Sequence, residues 1–304
     1  MQARHVDANG QYFETFTWGS ADAPPLLFLH GFPEHALAWE EIATAFADRF
    51  FCIAPNQRGY GRSSKPADVD DYRVQHLAKD MLALVEALAP GRRSHVVAHD
   101  WGGSVAYMMA FLASQRLATL TVANGVHPLP FQRAIIQDPE QREASQYIRF
   151  LRRDDAAALL SADNFRRLLR FVTEGFGGGA WLTDAKRAGY LAAWSEPGAL
   201  EAMVAWYKAT PLLVPLPGET VAADPLAHIN PAMVRVRMPH LLLWGVEDKA
   251  LRPSCHAGLD TYCDELTIRT VAGADHWIIH QRPAEVIAEI EAFLSLHGKA
   301  TGAG

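Results

Sequence analysis

The stretch SHVVAHDWGGSVAY, Ser94 to Tyr107, joins an apolar strand-like run to a helix-like run through a corner of small residues. Ala98, Gly102 and Gly103 stand two before, two after and three after Asp100. A sharp strand-to-helix corner needs small residues there, because the two backbones approach closely and a side chain would clash. Asp100 at the tip would project alone, with the N-terminus of the following helix beneath it. Capping that helix is the plain alternative role for the carboxylate. The corner therefore gains weight only from partners placed where such a fold would put them.

Those partners occur further along the chain. VEDKALRP follows the apolar run His240–Trp244 and places Asp248 in the loop beyond it. VAGADHWIIH follows the next apolar run and places His276 in its loop. Nucleophile, acid and base then occur in the order Asp100, Asp248, His276. Glu247 competes as the acid, but the Trp-Gly-x-x-Asp spacing favours Asp248. In LFLHGFPEHALAW, the His-Gly-Phe-Pro turn after Leu26–Leu29 puts the N–H of Phe32 beside the corner. With the N–H of Trp101 it can form an oxyanion hole. His99 is adjacent to Asp100 on a strand and so points to the opposite face, which suits packing and orientation. Asp275, His240, His256 and His280 read as surface or loop residues.

Bulk properties exclude several classes. The chain has 304 residues, 49% hydrophobic, with net charge −6 and no basic block. Nucleic acid and anionic membrane are poor partners for such a surface. MQARHVDANG lacks the layout of a signal peptide, and no apolar run approaches the ~20 residues that span a bilayer. Cys52, Cys255 and Cys263 match neither a metal site nor a disulfide framework. A soluble cytoplasmic protein without metal or cofactor is expected, with a homodimer left open.

Strand-like runs alternate with helical ones: Pro25–Leu29, Phe51–Ala54, His95–Ala98, Leu117–Ala123, Pro239–Trp244 and Leu266–Val271 against Ala36–Ala47, Val74–Ala89, Gly103–Ala113 and Pro283–Leu296. This argues a mostly parallel sheet with helices on both faces, and Gln11–Trp18 adds an antiparallel ribbon at the start. From about Val126 to Ala232 only helical segments appear: Pro139–Arg153, Asn164–Glu174, Asp184–Ala193 and Pro197–Thr210. Such an insert reads as a cap over the carboxyl edge of the sheet, where doubly wound folds bind ligands. The expected parts are core 1–125, cap 126–232 and core 233–304.

HGFPE (His30–Glu34), RGYGRS (Arg58–Ser63), HDWGG (His99–Gly103), WGVED (Trp244–Asp248) and DHW (Asp275–Trp277) together resemble the landmarks of the α/β-hydrolase superfamily, and within it the epoxide hydrolases. The likeness covers nearly the whole chain. It implies an α/β-hydrolase fold, an eight-stranded mostly parallel sheet with a helical cap inserted after strand 6. Asn56 in NQRGYG departs from the family's usual Asp. The family also implies two cap tyrosines: Tyr147, in EASQYIRFLRR, and Tyr207, in AMVAWYKAT, match their positions. Tyr190 matches neither and reads as cap core.

An aspartate is ordinarily ionised at neutral pH, so unlike serine it needs no base for its first step. It can displace a leaving group from an sp³ carbon, giving an alkyl ester. His276, polarised by Asp248, then activates water against that ester. The expected reaction opens a small apolar epoxide to a diol, with Tyr147 and Tyr207 protonating the leaving oxygen and Trp101 and Phe32 against the substrate. Haloalkane dehalogenases are the close rival, since Trp101 is also their halide position. Phe32 stands where many of them have a donor Asn, while Trp181, Trp194 and Trp206 leave a cap donor open. Some of them place the acid after the earlier strand, where this chain has Asn124. A non-catalytic receptor on the same scaffold is a third, remote reading.

Overall fold

A computed structural model describes residues 1–297. The chain starts with an antiparallel hairpin, β1 (Gln2–Ala8) and β2 (Gln11–Trp18), followed by β3 (Pro25–Leu29), α1 (Glu40–Phe46), β4 (Phe51–Pro55) and α2 (Val74–Leu88). Next come β5 (Ser94–His99), α3 (Trp101–Leu112) and β6 (Leu117–Ala123). Six helices follow: α4 (Pro128–Gln137), α5 (Pro139–Ala144), α6 (Gln146–Leu151), α7 (Ala156–Arg170), α8 (Asp184–Trp194) and α9 (Ala199–Ala209). The chain returns to the sheet with β7 (His240–Gly245) and β8 (Leu266–Val271), then ends in α10 (Ile278–Gln281) and α11 (Pro283–His297).

The eight strands lie in the order β1-β2-β4-β3-β5-β6-β7-β8. β2 is antiparallel to both its neighbours, and all other pairs are parallel. Every residue of β5 is buried, as a central strand covered by helices on both faces requires. Val96 and Ala98 join the core under α2, α3 and the cap, while Val97 joins the one with Trp39 and α11. The strand order reverses between β3 and β5. The loops leaving their carboxyl ends diverge there and open a crevice. The loop of Phe32 follows β3 and the corner of Asp100 follows β5, so the two flank that crevice.

The helical insert between β6 and β7 differs in detail from the periodicity. Pro139–Arg153 is two short helices rather than one, and α4 was absent from the pattern because prolines at 128 and 130 mask it. α7 is broken at 162–165, where Asp163, Asn164 and Phe165 have φ of 52°, 53° and 60°. Asn56, the departure from the family's acid, takes the N–H of Ala36 on its oxygen and donates to Glu14 at 2.7 Å. An aspartate there would meet Glu14 as a like charge.

His240, expected on the surface, is fully buried, donating from Nδ1 to the Leu120 carbonyl and accepting from the Tyr107 hydroxyl. Burial pushes His95, His127 and His240 down to about 4. Each is neutral when folded and protonated when unfolded between about 4 and its ordinary 6.5. The unfolded chain binds more protons in that window, so stability falls as pH drops from 6.5 towards 4, by roughly 1–3 kcal/mol per histidine. The midpoint of thermal unfolding, measured at closely spaced pH values, should decline across this window; a flat profile would contradict neutral burial of these rings.

Candidate active site

Asp100 occupies the N-cap position of α3 without a side-chain capping hydrogen bond, with φ 50° and ψ −120°, a strained conformation for a residue with a side chain. The corner holds because its neighbours are bare. A Cβ on Gly102 would collide with the Leu29 carbonyl, and one on Gly103 would sit 2.9 Å from Val122. Across the crevice, a Cβ on Gly31 would strike the Asp100 side chain. The carboxylate therefore stands clear of the sheet, and its Oδ1 accepts the N–H of Phe32 at 2.7 Å. Trp101 is the first residue of α3, where a helix leaves N–H groups without intrahelical partners.

His276 Nε2 lies 3.5 Å from Asp100 Oδ2, and its Nδ1 lies 2.8 Å from Asp248 Oδ2. Asp248 is itself fixed by the N–H groups of Ala250 and Leu251 on one oxygen and by the Asn124 amide on the other. Asn124, which sits where some dehalogenases place their acid, here supports the acid from the neighbouring strand and also accepts the Gly245 N–H. Glu247 is exposed. Burial lowers the affinity of His276 for a proton, but Asp248 and then Asp100 outweigh it, holding the imidazole well above its usual range.

Tyr147 and Tyr207 line the same cavity as Asp100 and Trp101, although α6 and α9 bring them from distant sequence. Their rings are 6.1 Å apart, and Tyr207 stands edge-on to Trp101 at 5.1 Å. Burial raises both phenols well above the usual tyrosine range, and the negative charge of Asp100 adds to it. Both therefore stay protonated. The ring of Phe32 faces Tyr207 and Phe171 and does not line the cavity. Tyr190 is buried and meets His280 through its hydroxyl.

Glu34 was not singled out by the sequence, nor was the depth of its surroundings. It is fully buried and accepts the Gly31 N–H and His99 Nδ1 on one oxygen, and His280 Nε2 on the other, at 3.1, 2.7 and 2.8 Å. Burial alone would raise its carboxyl, but His99 and His280 outweigh burial and hold it well below the usual range. The other nitrogen of His99 donates to the His276 carbonyl at 2.8 Å. One carboxylate thus ties together the loop after β3, the end of β5 and the loop bearing the base. His280 and Asp275 are not surface residues, as their polarity suggested: both are buried. Asp275 accepts the N–H groups of Gly178, in the cap, and Trp277.

Removing the Glu34 carboxylate leaves the Gly31 N–H, His99 Nδ1 and His280 Nε2 buried without their acceptor. Glu34→Ala should therefore cost about 3–5 kcal/mol, read as a shift in the denaturant midpoint. A change within about 0.5 kcal/mol, usual for surface sites, would contradict the cluster's role.

Residues 24–283 match the model of the alpha/beta hydrolase fold family. The AB hydrolase superfamily protein YfhM of Bacillus subtilis is 30% identical, over 94% of this chain and 95% of that protein. Epoxide hydrolase 2 of Caenorhabditis elegans is 27% identical, over 91% of this chain and 75% of that protein. A solved structure described among novel epoxide hydrolases from metagenomes of hot environments superposes with a TM-score of 0.89 at 34% identity, covering 97% and 98% of the two chains. The epoxide hydrolase of Bacillus megaterium, solved with an inhibitor, superposes with a TM-score of 0.86 at 25% identity, covering 96% and 100%. The corner at Asp100, the loop after β3 and strands β3 to β8 all lie within the matched span, and the chain belongs to the α/β-hydrolase superfamily.

Proposed function

We propose that this chain is an epoxide hydrolase, a hydrolase acting on ether bonds, that works through an alkyl ester on Asp100. The observation that carries the choice of substrate is the pair Tyr147 and Tyr207, both held protonated in the cavity that Asp100 lines. An alkoxide is too basic to leave unassisted, and protonated phenols lining the cavity of Asp100 supply what it needs.

Protons close the cycle without an outside donor. Asp100 attacks an epoxide carbon, the C–O bond breaks, and a tyrosine gives its proton to the leaving oxygen. The ester that forms removes the charge of Asp100, one of two carboxylates that keep the proton on His276. His276 then gives up that proton to restore the phenol and becomes a base. It takes a proton from water attacking the ester carbonyl, and the oxyanion is met by the N–H groups of Phe32 and Trp101. The intermediate collapses by breaking its bond to the diol oxygen, which takes the remaining hydroxyl proton of the new carboxyl group. The diol departs, and Asp100 returns as a carboxylate beside protonated His276.

A haloalkane dehalogenase would want N–H donors around a halide instead. The cap tryptophans do not offer them: Trp194 donates to the Pro33 carbonyl and Trp206 to the Arg58 carbonyl, while Trp181 stacks on His280 at 4.0 Å, outside the lining of the cavity. The complete triad also weighs against a non-catalytic receptor. Three free, buried cysteines suit the reducing cytoplasm expected from the sequence, and no helix among the described residues is long and apolar enough to cross a membrane.

Asp100→Asn should lower kcat by at least about 10⁴-fold. His276→Gln should still alkylate, so that intact-protein mass rises by the mass of one substrate molecule; normal turnover by this variant would refute the two-step scheme. Tyr207→Phe should slow epoxide opening by about 10²-fold or more in single-turnover kinetics while sparing any haloalkane activity. Equal loss on both would remove the proton-donor role.

A further inference from the structure

The cavity that holds Asp100 extends to one side of it. One face of α3 runs along it: Trp101, Ser104, Met108 and Phe111, spaced three, four and three apart, which a helix sets in one row. At 1.5 Å per residue that row carries the cavity about 15 Å beyond the nucleophile. Asp100 apart, no Asp, Glu, Lys, Arg or His is found among the lining side chains.

The other side of Asp100 is filled by rings. Phe171 and Phe176 pack edge-on at 4.7 Å. Phe171 also meets Tyr147 at 5.8 Å and Phe32 at 6.4 Å, and Phe176 meets His276 at 5.3 Å. None of Phe32, Phe171 and Phe176 lines the cavity. Phe171 instead lines a separate surface groove with Arg167, Arg170 and Glu174. A single phenyl ring thus stands between that groove and the tyrosine that faces the nucleophile. It opens the π-helical turn Phe171–Gly175, just beyond the break in α7, a kind of local irregularity often found at functional sites.

Resting on the epoxide-hydrolase reading, we infer that the chain selects epoxides substituted on one carbon only, with an elongated uncharged arm lying along α3, and that Phe171 excludes a second substituent. The two carbons of the ring must sit between Asp100 and the tyrosine hydroxyls. An arm on one carbon follows α3, and an arm on the other, trans to it, runs into Phe171 and Phe176. An ionised arm would lose its hydration along a lining with no countercharge, which is costly.

The test compares a terminal straight-chain epoxide, its internal trans isomer with equal arms, and the terminal epoxide bearing a carboxylate at mid-chain. Lengthening the arm of the terminal series should raise kcat/KM by about threefold to fourfold per buried methylene, until the far end of the α3 row is reached. The internal isomer and the carboxylate should each fall at least about tenfold below the terminal epoxide. Phe171→Ala and the milder Phe171→Leu are read as the ratio of terminal to internal kcat/KM, which partial loss of fold does not move, and that ratio should drop. Parity of the two isomers in the unaltered protein, or a ratio unmoved in both variants, would overturn the inference while leaving the hydrolase reading intact. No turnover of any epoxide would instead overturn that reading and, with it, the inference.

Discussion

Asp100 can hold a bare carboxylate over the crevice only because three glycines around it have no side chains. Gly102 lets the start of α3 lie against the end of β3, Gly103 lets it lie against β6, and Gly31 leaves room for the carboxylate itself. The Phe32 N–H then reaches Asp100 across the point where the strand order reverses. Every other part of the site is arranged around that contact. His276 approaches the second oxygen, Asp248 holds His276, and Asn124 holds Asp248. A larger residue at any of the three glycines would displace the Asp100 carboxylate or the backbone around it.

The electrostatics follow from one fact, that several titratable side chains are buried together. Asp100 and Asp248 keep a proton on His276, and the charge of Asp100 with burial keeps protons on Tyr147 and Tyr207. Behind the site, the contacts with His99 and His280 hold the Glu34 carboxyl below its usual range, while burial pushes His280 down. In the proposed scheme, esterification of Asp100 removes one charge from the first group and so changes what His276 can do. Nucleophile and base are thereby timed by the same covalent event.

The proposed framework of Asp100, Asp248 and His276 can be picked out in the sequence because each member stands at the end of its own strand. Asp100 follows β5, Asp248 follows β7 and His276 follows β8, and a short apolar run followed by a small-residue loop is visible in sequence. The two tyrosines were legible only through the family resemblance, since nothing in the periodicity of α6 or α9 marks them. Glu34, His280, His240 and Asp275 were missed or assigned to the surface for a physical reason. Polar residues are usually exposed, and the exceptions depend on partners remote in sequence: Glu34 and His280 are 246 residues apart. No local pattern carries such a pairing. The same holds for Trp194 and Trp206, whose N–H groups looked available until their carbonyl partners on the core were seen.

In the proposed mechanism the first oxygen of the diol comes from Asp100 rather than from solvent. A single turnover in ¹⁸O-water, with enzyme in excess over epoxide, followed by mass analysis of diol and protein, tests it directly. The expected result is an unlabelled diol and ¹⁸O in the carboxylate of Asp100. Label in the diol from the first turnover would mean that water attacks the epoxide itself, and that Asp100 acts as a base and not as the nucleophile.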